Sequence, residues 1–147
     1  MRIYRKFFLT IIVAGLFSHV YGQDDNKEAA RAIVEVANEV YFVQKALYQA
    51  NEQYALAADM DPENLEANFM AGRTFLETSP KANASKYLLR VYDLNPDYKF
   101  NILYLIGQGY QYGLEFEKAI ESYNLYLQKV SASSRRSGQD FTSAEVV

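Results

Sequence analysis

The sequence predicts an all-α protein, a right-handed solenoid of three stacked helix pairs, on two observations. Pro62 and Pro96 stand 34 residues apart, a spacing at which helix–turn–helix units recur. Around them small and large apolar residues fall in one register, as a unit requires that needs bulk at its start and a small residue where its helices cross. A third feature sets the terms of stability: the chain has no cysteine, so packing alone must hold it together.

The units follow in order. The first runs through Val34, Ala37, Asn38, Tyr41, Ala50, Tyr54, Ala57 and Pro62, with Asn38 at the crossing where a glycine is usual. The second runs through Asn68, Ala71, Gly72, Phe75, Ala84, Leu88, Val91 and Pro96, its leading aromatic displaced by one place to Phe69. The third runs through Leu103, Ile106, Gly107, Tyr110, Ala119, Tyr123 and Tyr126, with Ser131 in place of the closing proline. Apolar residues at helical spacing, such as Ile33, Val36, Ala37, Val40 and Tyr41, predict helices near 28–44, 46–60, 62–78, 80–94, 96–113 and 115–130. Asp61, Ser79 and Asn95 each precede a proline, which predicts an N-cap followed by proline at the first helical position. Gly113 is expected to end the fifth helix in a left-handed conformation.

Over residues 28–131 these positions resemble the tetratricopeptide repeat family, most closely in the segment 113–123. The resemblance implies three units, about 28–62, 63–96 and 97–131, within a repeat domain spanning 23–131. Members of that family are interaction scaffolds rather than enzymes, and the first helix of each pair lines a concave face. Carried onto this sequence, that face comprises Glu35, Glu39 and Phe42, then Phe69, Arg73 and Glu77, then Tyr104, Gln108, Gln111 and Tyr112. Aromatic anchors mixed with hydrogen-bonding groups suit a protein or peptide partner. Tyr104, in the most regular unit, is the expected hot spot. One branch of the family grips a C-terminal carboxylate with lysine and asparagine; Glu35, Phe69 and Tyr104 occupy the matching lysine positions, so that clamp is missing.

The ends differ from the middle. Arg2, Arg5 and Lys6, the apolar run from Phe7 to Phe17, and Val20-Tyr21-Gly22 read as a secretory signal peptide over residues 1–22. An apolar helix of that length covers only about half of a hydrocarbon core, so no membrane span is expected once it is cleaved. No cysteine follows it to carry a lipid. Cleavage removes three cationic residues and moves the net charge from −3 to −6, which disfavours nucleic acid as a partner. Residues 132–147 read as a Ser/Arg linker, beginning at Ser131, and the opening of a helix with a capping box at Thr142 and Glu145. The sixth helix is then expected to leave Ile120, Leu125, Leu127 and Val130 uncovered, as in the N-terminal part of a longer protein.

Catalytic chemistry is sparse. The single histidine, His19, lies in the leader, so nucleophilic systems built on Ser-His or Cys-His and histidine-ligated zinc are excluded from the mature chain. Asp59, Asp61 and Glu63 lack the glycine and distal glutamate of a calcium loop. Gly107-Gln108-Gly109 follows no strand and reads as a helix crossing, not a phosphate loop. No cofactor, metal site or catalytic residue is expected.

A narrower resemblance joins the leader, the segments 59–64, 92–98 and 107–110, and the Ser/Arg linker. Together they are similar to the N-terminal region of Gram-negative OmpA-family envelope proteins, in which such repeats precede a propeller and a peptidoglycan-binding domain. The resemblance implies an exported, periplasmic or outer-membrane-associated assembly module of the OmpA family or of a secretion apparatus, to which some members belong, with protein partners of the envelope, and peptidoglycan contact only through a downstream domain absent here. The alternative is an autonomous periplasmic ligand carrier or a carboxylate-based enzyme.

Overall fold

The computed structural model describes residues 24–136, and the regular structure among them is entirely helical. Helix α1 covers residues 24–42, followed by α2 (Leu47–Met60), α3 (Leu65–Glu77), α4 (Ala84–Leu94), α5 (Ile102–Tyr112) and α6 (Phe116–Arg136), with a 3-10 turn at Lys81–Asn83 leading into α4. The leader and the capping box at Thr142 lie outside the described residues. From α2 onward each helix packs on the next, and α3 also meets α5. The core follows the register read from the sequence: Ala37, Ala50, Tyr54 and Ala57, then Ala71, Ala84, Leu88 and Val91, then Leu103, Ile106 and Ala119 are all buried.

One contact recurs three times at the same separation. Tyr54 donates its hydroxyl to Asn38 Oδ1 at 2.6 Å. A Cβ on Gly72 would lie 2.5 Å from Leu88 Cγ, and a Cβ on Gly107 would lie 2.5 Å from the Tyr123 ring. In the second and third cases glycine is what lets the helices approach. In the first, Asn38 fills the crossing and turns it into a hydrogen bond. Asn68, standing where an aromatic is usual, is fully buried because its amide donates to the carbonyls of Pro62 (3.0 Å) and Asn64 (2.8 Å).

The helix starts differ from the sequence reading. Neither Asp61 nor Asn95 is an N-cap; each ends the preceding helix, its N–H bonding Ala57 and Val91 carbonyls respectively. Both then form the same β-turn with proline second. The Asp61 carbonyl accepts from Asn64 N–H and its Oδ1 from Glu63 N–H; the Asn95 carbonyl accepts from Tyr98 N–H and its Oδ1 from Asp97 N–H. An Asp or Asn followed by proline satisfies a β-turn as well as it satisfies a helix start. The N-cap of α3 is Asn64, whose Oδ1 accepts from Ala67 N–H at 2.9 Å. Ser79 is no cap either: after its cis bond to Pro80 comes the 3-10 turn.

Two further corrections concern helix ends. Gly113 has φ −82°, and the left-handed residue is Leu114 at φ 61°. Leu114 N–H bonds Gln111 O and Glu115 N–H bonds Tyr110 O, the paired bonds of a Schellman end. The segment from Ser131, read as a linker, is helical through Arg136, since no proline interrupts α6.

A candidate interaction cleft between α3 and α5

Helices α3 and α5 lie side by side with a cleft of about 540 Å³ between them. Phe69, Arg73, Leu76 and Glu77 form one wall, and Lys99, Asn101, Leu105 and Gln108 the other. Of the residues expected on the concave face, the structure brings Phe69, Arg73, Glu77 and Gln108 together here.

The α3 wall is organised by charge. Arg73 Nε donates to Glu77 Oε1 at 3.2 Å, an i,i+4 pair, while Tyr41 from α1 donates its hydroxyl to Glu77 Oε2 at 3.1 Å. The Arg73 guanidinium also lies 5.9 Å from the centre of the Tyr41 ring. Burial, and then the bond to Glu77, push the Tyr41 hydroxyl pKa above its ordinary value. Phe69 is buried rather than exposed: Tyr98 meets it edge-on at 5.7 Å, and the Lys99 ammonium sits 5.4 Å above its ring. It is a floor for the cleft, with cationic groups at the rim.

The remaining expected residues lie elsewhere. Tyr104 faces α6, its ring 5.7 Å from both Tyr123 and Tyr126. Gln111 accepts a hydrogen bond from the Tyr123 hydroxyl at 2.8 Å, and Tyr112 lies beneath the Lys81 ammonium at 4.7 Å. Phe42 packs edge-on against Tyr41 at 4.8 Å, and Glu35 and Glu39 are exposed on α1. The reason is positional. Tyr104 stands on α5 at the register position that Phe69 holds on α3, on the side turned toward the next helix but one in the chain. For α3 that side is the cleft; for α5 no such helix follows among the described residues. The residues missed are Leu76 on the α3 wall and Lys99, Asn101 and Leu105 on the opposite wall, the last three lying in or just before the first turn of α5.

The three acidic residues near Pro62 do not converge. Asp59 is engaged by Lys86 and Arg90, each at 3.0 Å, Asp61 by its own turn, and Glu63 by Lys27 at 2.7 Å. Among the described residues no group of His, Cys, Asp or Glu is arranged to hold a metal ion, and no helix is long and apolar enough to cross a membrane. In comparison with known proteins, the chain matches no family model and no curated protein.

Proposed function

We propose that the chain is a tetratricopeptide-type solenoid of three helix pairs, right-handed in its stacking, and that it serves as an exported interaction scaffold. In this reading it is the N-terminal module of a cell-envelope assembly protein of the OmpA type or of a secretion apparatus. Its partner is a protein segment bearing carboxylates, held in the α3–α5 cleft. The observation that carries the reading is the composition of that cleft. Lys99 and Arg73, the latter paired with Glu77 in the same wall, stand at the rim of an apolar floor made by Phe69, Leu76 and Leu105, with the Asn101 and Gln108 amides available to an extended backbone. The recurring crossing contacts and the two matching proline turns support the repeat architecture.

The test is site-specific photo-crosslinking in the cell envelope. A photoreactive residue at Asn101 should capture a defined partner, and one at the exposed Asp93 of α4 should not. Arg73→Glu with Lys99→Glu should abolish the adduct while leaving the helical circular dichroism intact. Equal capture from both positions, or an adduct indifferent to charge reversal, would remove the cleft as the site. Export is tested separately, by whether the mature protein begins after Gly22.

A further inference from the structure

The two ends of the molecule present surfaces that correspond, in the internal register, to surfaces buried between its helix pairs. At the α1–α2 end, Ala32, Ile33, Val36, Gln53 and Leu56 line an apolar hollow of about 340 Å³. Their counterparts in the α5–α6 pair are Asn101, Ile102, Leu105, Ser122 and Leu125. That side of α5–α6 packs on the preceding pair: Ile102 is fully buried, Leu105 faces Phe69, and Leu125 faces Leu89 and Tyr92. At the α1–α2 end the same positions stand open, with Val36 53% and Leu56 54% exposed. Gln53 Oε1 there has neither a hydrogen-bond partner nor contact with solvent. A buried carbonyl without a donor is a costly state that a suitable neighbour would relieve.

The α5–α6 end is open in the complementary sense. Ile120 and Leu127 are 59% and 58% exposed, and they occupy the places of Ser85 and Tyr92, which the following pair covers in the middle of the molecule. We infer that these two ends bind each other, the α5–α6 end of one copy stacking head to tail on the α1–α2 end of the next.

The internal joints specify the pairing. Between the first two helix pairs, Arg90 reaches the Ala58 carbonyl at 3.2 Å and the Tyr87 hydroxyl donates to Asp59 at 3.2 Å. Moved along the register, Arg90 becomes Leu56 and Ala58 becomes Leu127, so two exposed leucines meet. Tyr87 becomes Gln53 and Asp59 becomes the exposed Gln128, so a turn of the Gln53 side chain out of its buried position would give its Oε1 the donor it lacks. Apolar group meets apolar group and amide meets amide, while Lys86, which pairs with Asp59 at the internal joint, becomes Glu52 and leaves one exposed carboxylate at the edge of the contact. Both halves of this interface lie on one chain, so a second copy is sufficient to cover both ends. A contact of this kind is heterologous and propagates.

Sedimentation velocity of the purified protein should show a coefficient that keeps rising with concentration. Leu56→Asp or Leu127→Asp alone should each weaken association by about tenfold or more. Mixed, the two variants should form a 1:1 complex that grows no further, because one working end remains on each. Both side chains are more than half exposed, so the folds should survive; if circular dichroism shows otherwise, Leu56→Gln and Leu127→Gln replace them. A parent that stays monomeric at all concentrations overturns the inference. So does either single variant that still associates like the parent, which would mean that like ends pair, and so does a mixture of folded variants that fails to combine.

Discussion

The contact of α1 and α2 with α3 and α4, and that of α3 and α4 with α5 and α6, lie at equivalent positions in the sequence register and use different chemistry. Where α1–α2 meets α3–α4 the contacts are polar: Asn51 Nδ2 donates to Thr74 Oγ1 at 2.8 Å, Asn38 donates to Glu66 at 3.0 Å, and Asp59 gathers Lys86, Arg90 and Tyr87. Where α3–α4 meets α5–α6 the contacts are apolar and close. Phe69 meets Tyr98, Leu89 and Tyr92 face Ile106 and Leu125, and a Cβ on Gly109 would lie 2.7 Å from the Ser85 backbone nitrogen. In the register, Ser85 takes the place of Asn51. Packed helices thus tolerate either chemistry, but the two should fail in different ways: the apolar joint through added volume, the polar joint through a lost partner or a lost charge.

The largest effect should come from added volume. Gly109→Leu would drive a side chain into the backbone of Ser85, which cannot yield as a side chain can, and Gly72→Leu would strike Leu88, itself fully buried. Overpacking costs typically about 1–3 kcal/mol and occasionally more. Relief of the glycine penalty in a helix returns under about 1 kcal/mol, so the net effect is destabilising. The atoms nearest a Cβ on Gly107 are those of the Tyr123 ring, half-buried at the open end, which can swing outward. Thermal unfolding should therefore rank Gly109→Leu and Gly72→Leu well below the parent, with Gly107→Leu between those two and the parent. A Gly109→Leu protein as stable as the parent would contradict the close approach of the second joint.

The middle effect separates the joints by hydrogen bonding. Asn51 is buried, and Asn51→Ala removes the donor to Thr74 Oγ1, at a cost of about 1–3 kcal/mol. Thr74 keeps its own bond to the Met70 carbonyl at 2.7 Å, which places the loss toward the lower end. Ser85→Ala at the equivalent place should be nearly neutral, because the Ser85 hydroxyl donates only within its own segment, to the Ala82 carbonyl. Urea denaturation of the two variants measures the contrast, and equal losses would erase it.

Which features could be read from the chain follows from the same contrast. Ala37, Ala71, Gly72 and Gly107 were legible because a close crossing favours small residues, and Asn38 is accommodated where it can make a hydrogen bond instead. Turns were not, because Asp-Pro and Asn-Pro suit both a helix start and a β-turn, and only the bonds of the preceding helix decide between them. Gly113 misled because its neighbour Leu114, against its own preference, carries the left-handed conformation. At the candidate cleft, Phe69, Arg73, Glu77 and Gln108 were legible from their place in the unit. Tyr104 was not, since the register says which side of a helix a residue faces, not what covers that side.

The smallest effect is electrostatic, and it should appear at the polar joint alone. Burial pushes the Asp59 carboxyl up, but hydrogen bonds from Lys86 and Arg90 outweigh it and hold the pKa below the ordinary 3.8. A carboxylate whose folded pKa is depressed stabilises the fold above its unfolded pKa, and that contribution is lost as pH falls through 3.8 toward the lower folded value. The Asp59 side chain is 46% exposed, so solvent screening limits the gain to on the order of 0.5 kcal/mol. Asp59→Asn should accordingly be slightly less stable than the parent near neutral pH, and the difference should close as pH falls below the depressed folded pKa. Hydrogen exchange localises it: acid should loosen the amides at the end of α2 and in α4 before those of α5, whose joint is held by volume. A difference between parent and variant that survives at low pH, or an equal response from α5, would show that the ionic cluster does not distinguish the two joints.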